Sequence, residues 1–152
     1  MTSVESLQRA IGSWRGVSRL YLHEEPMRET PATGSVAPAI RGTFLSLAYT
    51  WVFDGNPQEG LLLVAKDPAG DAVKCLFLDS FHMNESFMTL PGQVEADGSV
   101  NVLGAYAVEG FPDEWGWRIR ISGDEATLKI AMFNISPDGE EYPGFDVDLT
   151  RA

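Results

Sequence analysis

The residues best equipped for chemistry stand together in "FLDSFHMNES" at 77–86, where an aspartate, a serine and a histidine fall within four positions. Serine, histidine and aspartate are the ingredients of a nucleophile, its base and an orienting carboxylate. Their spacing argues against a triad made from this segment alone. On a strand, Asp79 and Phe81 share one face while Ser80 and His82 share the other. A Ser–His pair at i, i+2 is then roughly 6–7 Å apart and parallel, and Asp79 points away from both. No G-x-S-x-G elbow occurs elsewhere. In the plainer use of these residues, Asp79 and Ser80 bond backbone groups where a strand ends, and Asn84 and Glu85 make the turn. His82 is then an anchor for a ligand's polar end if it points inward, and a structural residue if it does not.

Metal chemistry has little to draw on. The only histidines are His23 and His82, with no H-x-H or H-E-x-x-H, and Cys75 is the only cysteine. Neither an internal disulfide nor a thiolate cluster can form within one chain. No cofactor is expected. "DEWGWRIRI" at 113–121 offers a second polar option. Regular alternation points Trp117 inward and Arg118 outward; a local reversal would let Arg118 or Arg120 reach inside and fork onto a carboxylate. Gly116, between two tryptophans, is where a bulge could re-aim a side chain.

These side chains need a scaffold, and its pattern is mostly β. Ser3 can cap a helix over 3–12, with Val4, Leu7 and Ile11 on one face and Gly12 at its end. Strand-like segments follow, separated by turn chemistry. They are "WRGVSRLYL", "TFLSLAYTWVF", "GLLLVAK", "AVKCLFLDS", "QVEA", "VNVLGAYAV", "WGWRIRIS", "ATLKIAMFNI" and "FDVDLT", with "DGNPQ", "DPAGD", "DGS", "GDE" and "PDGEEYP" as breaks. "TPATGSVAPA" at 30–39, rich in Pro, Ala and Thr, reads as a loop. About nine or ten strands in tight succession predict an all-β, antiparallel up-and-down barrel over 14–151, because closure removes exposed edges. The N-terminal helix would cap one end, a two-sheet sandwich is the alternative, and residues 1–152 form a single domain.

Alternation assigns the faces. Phe145, Val147 and Leu149 alternate with Asp146 and Asp148, and Trp115, Trp117, Ile119 and Ile121 with Arg118 and Arg120. Tyr49, Trp51 and Phe53 share a face, as do Val102, Gly104 and Tyr106. Such an inward aromatic load serves either a packed core or the wall of a small-molecule pocket. In "AVKCLFLDS" and "LLLVA" both faces are apolar, which predicts a cover over the outer leucines, either the N-terminal segment or a second copy in a homodimer.

The formal net charge of −11 sets the protein against phosphate backbones and anionic membranes. The longest apolar run, "LLLVA" at 61–65, is far short of the roughly 20 residues a spanning helix needs. The start, "MTSVESLQRAIGSW", lacks the basic and apolar regions of a signal peptide, so a cytoplasmic location is expected.

"GSW" at 12–14, opening the first strand after the helix, resembles the G-x-W of lipocalins and fatty-acid-binding proteins. In that superfamily an arginine at the end of the last strand, here Arg151, packs on the tryptophan and closes the barrel base. "GSWRG", "DSFHM" at 79–83, "WGWRI" at 115–119 and "PDGEEYPGFDVDLTR" at the end are similar to the lipocalin-like domain-of-unknown-function 1579 family over nearly the whole chain. The resemblance implies a bacterial protein with a calycin-type barrel, and no activity is established for that family. Nitrobindin-like barrels have a similar start but hold haem through a histidine near the C-terminus, where this chain has none.

The expectation is therefore a lipocalin-like barrel binding a small, partly apolar molecule against Tyr49, Trp51, Phe77, Tyr106 and Trp117. His82, Asp79 or Arg118 would orient its polar end. An enzyme using His82 and a carboxylate, or a non-catalytic homodimer with a filled core, are the alternatives.

Overall fold

The computed structural model describes residues 3–152. Ten antiparallel strands, each paired with its sequence neighbours, close into a barrel when β1 (Gly12–Leu20) meets β10 (Glu141–Arg151). Between them run β2 (Arg28–Ala39), β3 (Phe44–Phe53), β4 (Asn56–Lys66), β5 (Ala72–Asp79), β6 (Met88–Val94), β7 (Val100–Tyr106), β8 (Trp115–Gly123) and β9 (Thr127–Ile135). The up-and-down barrel expected from the turn signals is the fold observed, and no helix among the described residues is long and apolar enough to cross a membrane.

Two elements differ from expectation. The helix, α1, is a single turn over Glu5–Gln8; its N-cap is Val4, and Ser3 instead accepts a hydrogen bond from Gln8 Nε2. The chain tightens at once into i→i+3 bonds, from Ala10 N to Leu7 O and from Ile11 N to Gln8 O, so Ala10 is buried and Ile11 is left exposed. The second difference is the 30–39 segment, which is a strand. Its inward positions are Ala32, Gly34 and Val36, too small to carry a periodic signal. Its prolines sit where β2 has one registered neighbour: Pro31 pairs with β1 beyond the end of the β2–β3 ladder, and Pro38 pairs with β3 beyond the end of the β1–β2 ladder. A missing N–H is tolerated at such half-edges.

The barrel interior is a packed core. Trp14, Tyr49, Phe77, Phe145, Leu45, Leu62, Ile119 and Ile121 are all fully buried. Val4, Leu7 and Ala10 join this core at one barrel end. The N-terminal segment therefore plugs the base and does not cover the outer leucines; Leu61 faces Leu78, and Leu63 faces Leu76, half-buried on the outer sheet.

Arg151 locks the base. Its guanidinium lies 4.1 Å from the centre of the Trp14 ring and donates to Ile11 O at 2.8 Å, Arg9 O at 3.1 Å and, through Nε, Glu125 O at 3.0 Å. Trp14 Nε1 donates to Ala10 O at 2.8 Å. The planar cation thus stacks and forks at once, which a lysine cannot do. We predict that Arg151→Met lowers stability by about 2–3 kcal/mol, roughly 4–12 °C in melting temperature, and that Arg151→Lys recovers little of it. Thermal melts of both variants check this; full recovery by lysine would show that charge alone matters.

Candidate functional site

The end of the barrel opposite α1 is closed by the 80–87 segment, and the local sequence explains how. β5 stops at Asp79, whose side chain turns back on its own chain. Its Oδ1 accepts the backbone N–H groups of Phe81 and His82, both at 2.8 Å. Its carbonyl accepts Met83 N at 2.9 Å and Asn84 N at 3.1 Å, and Asn84 ends the turn in the left-handed region at φ +52°. Aspartate and asparagine suit these two tasks. Ser80 faces the other way, accepting Glu59 N at 3.0 Å and donating to Gln58 at 2.7 Å. The turn thereby aims Phe81, His82 and Met83 into the mouth.

Here strand alternation misleads. Asp79 and His82 do not point apart, because the strand has ended between them. His82 Nδ1 lies 3.1 Å from Asp79 Oδ1, a close polar contact that falls short of an aligned hydrogen bond. With Asp79 on the Nδ1 side, Nε2 becomes the ring's outward-facing atom for a ligand. The imidazole sits in an aromatic box: it stacks on Trp51 at 5.7 Å and lies 5.1 Å from Phe145, 5.5 Å from Trp117 and 4.9 Å from Phe81.

Behind the histidine, Tyr49 spans three strands. It pairs with Gly60, which pairs with Asp79, and its hydroxyl crosses the glycine to donate to Asp79 Oδ2 at 2.6 Å. Burial pushes the Asp79 carboxyl up, but His82, Tyr49 and the backbone donors outweigh it and hold the group below the usual carboxylate range. Burial, and then the Asp79 charge, push the Tyr49 phenol well above its ordinary value, so it stays a donor.

In front of the histidine a crevice of about 260 Å³ opens at the mouth, lined by Phe77, His82, Met83, Met88, Tyr106, Trp117 and Asn134. Phe77 and Trp117 stack at 6.2 Å and form its flat wall. Tyr106 donates to Asn134 Oδ1 at 2.6 Å, which leaves the Asn134 amide nitrogen as a donor. Gly104 makes room for Met88, whose sulfur lies 2.6 Å from where a Cβ would stand. Gly144, at the register shift in β10, makes room for Asn134 and the Trp117 ring, each just over 3 Å from where its Cβ would be.

The structure thus sorts the expected site residues into three groups. Phe77, His82, Tyr106 and Trp117 meet at the crevice. Tyr49, Trp51 and Asp79 stand behind it, almost fully buried, and position His82. Arg118 is on the outer face, donating to Asn101 at 2.6 Å and lying 3.4 Å from Glu141; β8 runs regularly through Gly116, so no reversal brings Arg118 or Arg120 inside. Met83, Met88 and Asn134 had escaped the sequence reading. Asn134 carried a signal, since Leu128, Ile130 and Met132 precede it on one inward face, where a polar residue is out of place.

What this mouth can do follows from its atoms. It offers a flat aromatic wall, two soft sulfurs, a donor amide and a histidine oriented by a buried carboxylate. No nucleophile stands in the mouth: Ser80 is bonded on the outer side, and Cys75 is buried, with its thiol pushed up to about 12 by that burial.

Comparison with known proteins gives a family and leaves the chemistry to the geometry. No curated protein matches the chain. The model of one family, described as "Protein of unknown function (DUF1579)", matches residues 3–151, almost every position of the barrel and its cap. The chain belongs to the DUF1579 family.

Proposed function

We propose that the protein binds a small, flat, partly apolar molecule in the mouth crevice, with its polar end on His82 Nε2 and the Asn134 amide. The observation that carries this is the crevice itself: an aromatic and thioether pocket with a carboxylate-oriented imidazole on its wall. Its volume, about 260 Å³, lies just below the roughly 300–1,000 Å³ of small-molecule sites, which favours a compact ligand or one end of a longer one. The packed core below leaves the deep interior to side chains, so the ligand sits at the rim and not along the barrel axis.

Titration of intrinsic fluorescence with short amphipathic acids, amides, fatty acids and retinoids tests the reading, since Trp117 lies in the wall. His82→Phe keeps the aromatic packing and removes the anchor; affinity should fall roughly tenfold, about 1.4 kcal/mol. An absence of saturable response across the panel, or equal affinity in His82→Phe, removes the reading. The Asp79–His82 contact also favours a second reading, in which Nε2 is a general base toward the bound molecule. Turnover of a bound compound that vanishes in His82→Phe while binding persists would select it.

A further inference from the structure

A second cleft, about 380 Å³, lies between the 107–114 loop and the β9–β10 hairpin, and its lining shares no residue with the mouth crevice. Phe111 and Trp115 meet edge to face at 5.8 Å on one side, and Tyr142 stands on the other. Pro112 and Pro137 stiffen the two loops, and Asp113, Asp138 and Glu140 supply three carboxylates. Phe111 is 54% exposed and Tyr142 is 45% exposed, so both rings keep surface open to a ligand. No lysine, arginine or histidine is among the lining residues. Tyr142 donates to Glu140, which ties one ring to one carboxylate.

We propose that this cleft is a binding site for a weakly hydrated organic cation, such as a quaternary ammonium head or a guanidinium. Two independent features select that chemistry. Aromatic faces attract cations through their negative quadrupole, and do so best where the cation sheds water easily. The carboxylates add long-range attraction, reinforced by the net charge of −11. A hard metal ion would need converging oxygen or nitrogen ligands, and no group of His, Cys, Asp or Glu suited to one is found among the described residues. An anion would meet three like charges. A neutral apolar molecule would use the rings and gain nothing from the carboxylates.

Choline, its uncharged isostere 3,3-dimethylbutan-1-ol and N-acetylarginine amide serve as probes, followed on the indole N–H resonances of the four tryptophans in the ¹⁵N-labelled full chain. The Trp115 signal should move saturably with choline, while that of Trp14, at the far end of the barrel, stays still. The uncharged isostere should bind at least ten times more weakly. Phe111→Ala and Asp138→Asn, both at exposed positions outside the core, should each weaken choline about three- to tenfold and leave mouth-crevice titrations unchanged. Tighter binding of arginine amide than of choline would identify the natural cation as a peptide or amino-acid guanidinium; the reverse order, a free quaternary amine. Equal binding of the isostere, an unmoved Trp115 signal, or unchanged affinity in the Phe111→Ala, Asp138→Asn double variant would overturn the proposal. The dispersion of each variant's spectrum reports whether it is folded.

Discussion

Replacing Asp79 with alanine should cost about 3–5 kcal/mol of stability, more than any other polar substitution in the mouth. The carboxylate is 3% exposed and satisfies three donors directly: the N–H groups of Phe81 and His82 and the hydroxyl of Tyr49. Removing it strands all three away from water and takes away the carboxylate beside the His82 ring. The turn that carries Phe81, His82 and Met83 loses its organising acceptor, so the aromatic box opens as well. Tyr49→Phe removes a single charged hydrogen bond and should cost about 1.5–3 kcal/mol. Urea unfolding of both variants checks this order. A loss below about 1 kcal/mol for Asp79→Ala would mean that the turn is held by packing instead.

The same carboxylate sets a pH dependence with a definite sign. Its pKa is lower in the folded protein than in the unfolded chain, where an aspartate titrates near 3.9. Its contribution to stability is therefore complete above that unfolded value and disappears as the pH falls through the lower folded one. Wild-type protein should lose urea resistance steeply below about pH 4. Asp79→Asn, less stable at neutral pH, should show a shallower acid limb. Parallel limbs would assign the acid sensitivity to other carboxylates.

The contrast between what the sequence displayed and what it hid has a physical origin. β10 and β8 were legible because their inward apolar residues alternate with charged outward ones, as in Phe145, Val147 and Leu149 against Asp146 and Asp148. β2 was hidden because a strand facing bulky neighbours is built from small inward residues. Gly34 faces Leu149, whose Cδ1 lies 2.7 Å from where a Cβ would be, so its pattern is set by other strands. The Trp14–Arg151 clamp came from the resemblance to lipocalins, and the structure places the two residues side by side at the barrel base, where β1 begins and β10 ends. The Asp79–His82 contact was hidden for a different reason. Alternation holds only while the strand continues, and the strand stops at the residue whose direction mattered. The one-letter evidence for that stop was Asp79 and Asn84, residues that prefer turns but do not announce which side chain a turn will bring back. Arg118 shows the converse: regular alternation placed it outside, and it is outside.

Gly60→Ala should be among the most damaging single-methyl additions in the protein, about 3–5 kcal/mol, against the usual expectation for such a change. Glycine in a strand normally weakens it, and alanine at a compatible backbone position gains about 0.4–1 kcal/mol through the unfolded state. Here the added methyl would stand 2.1 Å from Cζ and 2.2 Å from Oη of Tyr49, inside the ring's own volume. The tyrosine is 2% exposed and has no free space to enter, since Phe145 packs 5.9 Å from its centre. It must leave its course over β4, and in leaving it drops Asp79. The substitution thus combines overpacking with loss of a buried charged hydrogen bond. A background that removes the obstruction separates these effects from backbone strain. In Tyr49→Leu the ring is gone, and Gly60→Ala should then cost at least 1.5 kcal/mol less than in wild type, a coupling expected for residues in direct contact. Equal costs in both backgrounds would mean that the glycine serves the strand and not the tyrosine that crosses it. With unequal costs, Gly60 becomes part of the site: it is the gap through which the buried carboxylate is held, and through the carboxylate, His82.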